Sequence, residues 1–168
     1  MPAGRLASIN VSTGGVPKTA VAEASVTEAG LAGDRQRDLR YHGGPDRAVS
    51  LYSLEAIEAL RRQGHPIGAG TTGENLTLAG LDWGAVVPGA EIRVGPVRLQ
   101  VTGYAAPCSN IAGSFADRAF VRISQKLRPG WSRVYARVLA GGVVRVGDPA
   151  ELCGPPGRGQ PARGAGEA

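Results

Sequence analysis

Cysteine is nearly absent from this chain: its 168 residues hold two, Cys108 and Cys153. Two thiols exclude a disulfide scaffold, and with no CxxC pair there is no frame for a structural zinc site. Aromatic residues are scarce too, at 5%. Single-stranded nucleic acid is held by basic grooves with interleaved aromatic rings. The net charge of +5, spread mostly over scattered arginines, is therefore a weak argument for nucleic acid and suits a small anionic ligand at least as well. No apolar run nears the roughly 20 residues that cross a bilayer, which argues against a membrane protein. Residues 1–6 show no charged-then-apolar leader, so the expected setting is cytoplasmic and reducing.

What the chain has in quantity is glycine, 26 residues, beside 12 prolines. They divide it into short segments of strand character. Residues 5–11 and 20–26 read as opening strands on either side of Gly14-Gly15. In residues 91–101, Ile92 and Val94, then Val97, Leu99 and Val101, alternate with polar residues around Gly95-Pro96, which predicts a hairpin with one buried face. Val134, Ala136 and Val138 alternate with Arg133, Tyr135 and Arg137 before Gly141-Gly142 turns into residues 143–146, which predicts a second hairpin.

A helix is predicted from Leu54 to about Gln63, capped by Ser53, striped by Leu54, Ile57 and Leu60, and ended by Gly64. A weaker helix or a turn covers residues 117–127. The expectation is a mainly β, compact, barrel-like fold with one or two short helices. Residues 1–153 form one domain in this reading, and residues 154–168 form a Gly/Pro-rich tail without order.

Four motifs hold candidate chemistry. Residues 68–73, Gly-Ala-Gly-Thr-Thr-Gly, match the dinucleotide-binding pattern but follow a helix end and run into a strand, the wrong context for a pyrophosphate site. In His42-Gly-Gly-Pro-Asp-Arg-Ala-Val49, Gly43 and Gly44 let backbone approach a ligand closely. Asp46 and Arg47 suit a fixed pair, with Arg47 offering donors to an anion, and His42 suits a hydrogen bond, a metal or a proton. The competing reading is a plain turn before a strand.

Gly73-Glu-Asn-Leu-Thr77 offers Glu74 and Asn75 either to a polar ligand or to nearby backbone. Cys108 lies between Pro107 and Ser109-Asn110. Most free cysteines are small buried hydrophobes, but a polar turn suits an exposed, reactive thiol better. A Cys108 nucleophile paired with His42 stays open as a hydrolase; a serine hydrolase does not, since GxSxG is missing. Cys153 reads as incidental.

Taken in order, Gly33-Asp34, the His42–Val49 stretch, Gly73–Thr77, Pro88-Gly89 and Pro107-Cys108 resemble the MOSC domain family, named for the C-terminal domain of molybdenum cofactor sulfurase. The resemblance implies a β-barrel-like fold with a site cysteine, here Cys108, that carries sulfur or binds the molybdenum cofactor as a metal ligand. It places Asn75 near the bound pterin and makes His42 to Gly44 a family hallmark, and the family association extends to pyridoxal phosphate. His42, Arg47 and Asn75 are the expected pocket-lining donors to the cofactor, with Gly43-Gly44 as close-approach backbone. Many relatives have arginine three residues before the cysteine, where this chain has Ala105; Arg47 or another arginine is the expected substitute.

The resulting expectation is a MOSC-domain protein whose Cys108 ligates molybdenum or accepts sulfur as a persulfide, with a cysteine desulfurase or a redox partner. The alternatives are a molybdenum-dependent reductase of N-hydroxylated compounds and a non-catalytic delivery or binding module.

Overall fold

Period-two burial builds the central sheet. Along β7 (Glu91–Val94) and β8 (Val97–Tyr104), Ile92, Val94, Val97, Leu99 and Val101 are all inaccessible or nearly so, while Arg93 and Arg98 lie in solvent. The two strands pair Val94 with Val97 across the Gly95-Pro96 turn, as the alternation predicts. The molecule is a computed structural model in which residues 4–34 and 45–153 are described. The tail from residue 154 and the segment with His42, Gly43 and Gly44 lie outside the described residues.

Seven strands close into a barrel. They are β1 (Gly4–Val11), β5 (Val49–Ser53), β6 (Leu76–Ala79), β7, β8, β9 (Val134–Ala140) and β11 (Pro149–Leu152). Their order is β11-β7-β8-β9-β5-β6-β1, and β1 returns to β11 through Gly4 opposite Ala150. Closure leaves no exposed edge along the ring. All neighbours run antiparallel except β5 and β6, the pair joined through α1 (Leu54–Arg62). A short strand β2 (Thr19–Val21) extends β1.

The barrel interior is aliphatic, from Leu6 and Ile9 through Val49, Leu51, Leu76 and Leu78 to Val134 and Ala136. A second core outside the barrel gathers Tyr52, Ile57, Leu60, Ile67, Ile111, Phe115 and Ile123. Helix α1 belongs to this second core. Ser53 caps it by accepting the Ala56 N–H at 3.1 Å, and Ile57 and Leu60 are its buried stripe.

Two expectations change. Residues 20–26 are not one strand but β2 and β3 (Glu23–Thr27), split at Ala22. The strand β10 (Gly142–Arg145) does not fold back on β9. Both edges of β9 are already taken by β5 and β8, so β10 pairs with β3 in a three-stranded sheet with β4 (Gly30–Leu31). Residues 117–127 take the turn rather than the helix of the two expected there, with a 3₁₀ turn at Phe120–Ile123. Among the described residues, no helix is long and apolar enough to cross a membrane.

Candidate functional site

The barrel's outer face makes the floor of a pocket. Val49 and Leu51 of β5 point inward, so Ser50 and Tyr52 point out, and on β9 the inward Val134 and Ala136 leave Tyr135 facing out. Ser50 and Tyr135 are register partners. Over this face pass Gly15–Lys18, Thr72-Gly73 and the segment from Ala105 to Ile111. Together they line a cavity of about 110 Å³ that opens partly to solvent.

Cys108 stands on this pocket with an exposed side chain, and Cys153 is a second free thiol elsewhere. Cys108 has extended backbone and immediately precedes the 3₁₀ turn Ser109–Ser114. The turn is anchored from below: Ile111 and Phe115 enter the second core, and Ser114 Oγ donates to Thr71 Oγ1 at 2.9 Å. Thr71 in turn accepts the Gly68 N–H and donates to the Gly68 carbonyl. The glycine-rich stretch 68–73 therefore acts as scaffolding for the cysteine turn, with no helix after it to bind a pyrophosphate.

Three cationic side chains line the pocket, Lys18, Arg47 and Arg133, and among the described residues no carboxylate does. Their circumstances differ. Lys18 Nζ lies 2.9 Å from each oxygen of Asp34, and both side chains are largely buried. Arg47, singled out in the sequence, stacks its guanidinium 5.2 Å from the centre of the Tyr135 ring. The expected Asp46–Arg47 pair is not formed, because Asp46 binds Arg137 at 3.1 Å instead.

Arg133 is 9% exposed. Its Nη1 donates to the Thr72 carbonyl at 2.6 Å, its Nη2 lies 3.4 Å from the carbonyls of Ala105 and Ala106, and its buried Nε has no partner. This guanidinium thus reaches the backbone of the position where the resemblance leads one to look for an arginine. The charge also acts on Tyr52 nearby. Burial pushes the Tyr52 hydroxyl well above its ordinary range, and Arg133 opposes that rise; the hydroxyl donates to the Trp131 carbonyl at 2.7 Å.

Asn75 is in the wall rather than on the pocket. It is 1% exposed, and its carboxamide is fully engaged. Oδ1 accepts the Ser50 N–H at 3.0 Å and the Ser50 hydroxyl at 3.3 Å, while Nδ2 donates to the Asn10 carbonyl at 3.2 Å and to Asp34 Oδ2 at 3.0 Å. Asn75 therefore fixes two groups around the pocket, the floor residue Ser50 and the counter-ion of Lys18. Asp34 also accepts the Ser12 N–H at 3.0 Å.

Glu74 is inaccessible and equally committed, accepting from the Gly70 N–H and from the hydroxyls of Thr72 and Thr77 at 2.8–2.9 Å. It holds the loop, the second of the two roles the sequence left open for it.

The sequence thus pointed to two residues that meet here, Cys108 and Arg47. It did not point to Lys18, Ser50, Tyr135 or Arg133. The one available signal was the alternation of Arg133 and Tyr135 with the buried Val134 and Ala136, which sets both on the outer face.

A family model for the MOSC domain matches residues 38–151. The chain is 34% identical over 146 residues to the uncharacterized protein YflK of Bacillus subtilis (strain 168), a stretch covering 84% of this chain and 64% of YflK. It is 34% identical over 135 residues to protein YiiM of Escherichia coli (strain K12), covering 77% of this chain and 59% of YiiM. The chain thus spans less than two thirds of the length of either curated relative. Among solved structures, YiiM from Geobacillus stearothermophilus superposes with a TM-score of 0.67 at 30% identity, covering 90% of this chain and 75% of that one. With a matching barrel and the family model over most of its length, the chain belongs to the MOSC domain family, which is linked to molybdenum-cofactor binding.

Proposed function

We propose that the protein holds an anionic molybdenum–pterin cofactor in the Cys108 pocket, with the Cys108 thiolate as the sulfur ligand to the metal. One observation supports this above the rest. An exposed thiol shares a pocket with Lys18, Arg47 and Arg133, and among the described residues no carboxylate lines it. Thiolate is the metal-binding form of cysteine, and cationic walls suit the negative charge of such a cofactor. The fit extends to individual atoms, since the buried Arg133 Nε still lacks an acceptor.

The side chains divide the work. Cys108 offers sulfur at the rim, and Arg47, fixed against Tyr135, offers a planar cation beside it. Lys18 is oriented by Asp34, and Asp34 is oriented by Asn75. His42, Gly43 and Gly44 are assigned to the same ligand as a polar donor and close-approach backbone. When bound, the cofactor would supply two-electron redox chemistry at its metal.

A second reading is sulfur carriage, in which a cysteine desulfurase delivers sulfur to Cys108 as a persulfide. The exposure of Cys108 favours it, because a protein donor must reach the thiol. Metal analysis of protein produced with molybdate separates the two. Stoichiometric molybdenum that disappears in Cys108→Ser supports ligation. A mass gain of one sulfur atom on Cys108 after reaction with a desulfurase and cysteine, without bound metal, supports carriage. If folded protein shows neither, both readings fail.

A further inference from the structure

The cations of the strands are balanced where they stand. Arg93, Arg98, Arg137 and Arg145 each face a carboxylate, Glu151, Glu91, Asp46 and Glu23 in turn. Residues 116–131 are different. They hold Arg118, Arg122, Lys126 and Arg128 against a single carboxylate, Asp117. That carboxylate is already engaged within the segment, by Arg122 and by the Ala119 N–H. Arg128 stacks 4.5 Å from the centre of the Trp131 ring. Arg118 and Lys126 stand exposed, and neither meets a carboxylate among the described residues.

Beside them lies apolar surface. Leu127 is 63% exposed, the highest value for a large hydrophobic side chain among the described residues, and Val121 is 46% exposed. The segment that presents them is firmly anchored. Ile123 is inaccessible in the second core, and Phe120 and Trp131 pack against that core. The Arg128 N–H donates to the Ser124 carbonyl at 2.7 Å, and the Gly130 N–H donates to Gln125 Oε1 at 3.1 Å. Ile111 and Phe115 enter the same core from the turn that Cys108 precedes. The cationic segment therefore begins where the cysteine turn ends, and both stand on one base.

We propose that residues 116–131 are the docking surface for an acidic protein partner that works at Cys108, with Arg118 and Lys126 as cationic contacts and Leu127 as apolar anchor. Unbalanced charge on a fixed surface steers an oppositely charged partner and sets its orientation. An exposed aliphatic side chain among polar neighbours has the make-up of an interface centre within its rim. A membrane is less well matched, since interfacial binding uses an amphipathic helix with aromatic side chains on its apolar face. Here the segment holds a 3₁₀ turn, and Phe120 and Trp131 pack on the core. Single-stranded nucleic acid would need such rings open for stacking. The inference rests on the proposed function only for a protein having to reach Cys108.

The test uses the full chain and a fluorescent peptide of glutamates with interspersed leucines, with binding followed by anisotropy at low and at moderate salt. Wild type is expected to bind, and to bind more weakly as salt rises. Arg118→Asn with Lys126→Gln should weaken binding about tenfold. Asparagine is chosen because Arg118 sits at φ +61°, a conformation asparagine tolerates. Arg93→Gln with Arg98→Gln removes the same charge from β7 and β8 and should bind as wild type does. Leu127→Ser should also weaken binding about tenfold, and should make no difference to a peptide whose leucines are replaced by serine. All these side chains are exposed, so the variants should melt with wild type.

No peptide binding by wild type, equal affinity of the two charge variants, or unchanged binding by Leu127→Ser overturns the inference. So does Leu127-dependent association with phosphatidylglycerol vesicles in place of the peptide, which would make the segment a membrane contact. Peptide binding that depends on Lys126 and Leu127, in protein that takes up neither molybdenum nor sulfur, would instead overturn only the proposed function. Molybdenum retained by protein whose segment binds no peptide would overturn only the docking surface.

Discussion

Replacing Asn75 with alanine distinguishes a wall residue from a ligand contact. The carboxamide is 1% exposed and makes four hydrogen bonds, two to Ser50, one to Asn10 and one to Asp34. A net contribution near 1 kcal/mol for each would sum to about 4 kcal/mol. Ser50 is only partly buried, and its released hydroxyl can turn to water or keep its bond to the Gly73 carbonyl. The Asn10 carbonyl is not so placed, since Asn10 is inaccessible. A loss of about 3 kcal/mol is therefore expected for Asn75→Ala. For a chain of this length that corresponds to a midpoint lower by about 6–12 °C.

The assay is urea and thermal unfolding of the ligand-free protein. Asn75→Asp adds a control of equal shape, because it sets a second carboxylate 3.0 Å from Asp34 Oδ2 and exchanges a hydrogen bond for like-charge repulsion. It should destabilise at neutral pH and recover part of the loss in acid. A ligand-free Asn75→Ala protein as stable as wild type, with ligand affinity alone reduced, would refute the reasoning and return Asn75 to the pocket.

Gly70→Ala should lose about 2 kcal/mol or more in unfolding experiments. Gly70 sits at φ +82°, and a Cβ there would approach the Lys18 carbonyl oxygen to 2.7 Å. Cys108→Ser should change the melting midpoint little, since the side chain is exposed; a loss on the scale of a core cavity would reveal a packing role. Burial raises the Cys153 thiol above its usual range. Mass spectrometry of protein treated briefly with iodoacetamide at neutral pH should therefore find Cys108 modified before Cys153.

Asp117 is held below the usual carboxylate range, first by the Ala119 N–H and also by Arg122. Its lowered value means its contribution is complete above the unfolded carboxylate pKa and is lost as pH falls through the folded one. Asp117→Asn should thus flatten stability against pH only on the acid side, below about pH 4, in midpoints measured across that range.

The barrel was readable where burial follows from local alternation. Ile92 to Val101 declare a buried face within eleven residues, and Ser53 and Gly64 bracket α1 by cap chemistry alone. The destination of β10 was not readable, because its own residues fit a hairpin with β9 well. What redirects it is competition: β5 and β8 occupy both edges of β9, and those pairings span distant parts of the chain.

The site divides along the same line. Cys108 and Arg47 lie in unusual local compositions and were visible. Arg133 lies 25 residues beyond Cys108 in the sequence and follows an ordinary proline-glycine turn. Its meaning comes from the β8–β9 pairing, which runs to Tyr104 opposite Val134 and continues in the Ala105 N–H donating to the Arg133 carbonyl at 3.0 Å. The same pairing sets the Arg133 guanidinium against the Ala105 and Ala106 carbonyls. The cation is delivered across the strand pair, not along the loop, so the same space is charged from another part of the sequence. Local motif reading registers such an exchange only as a loss. Ala105→Arg in an Arg133→Met background would show whether position or residue matters, and restored molybdenum retention in that double variant is the expected result.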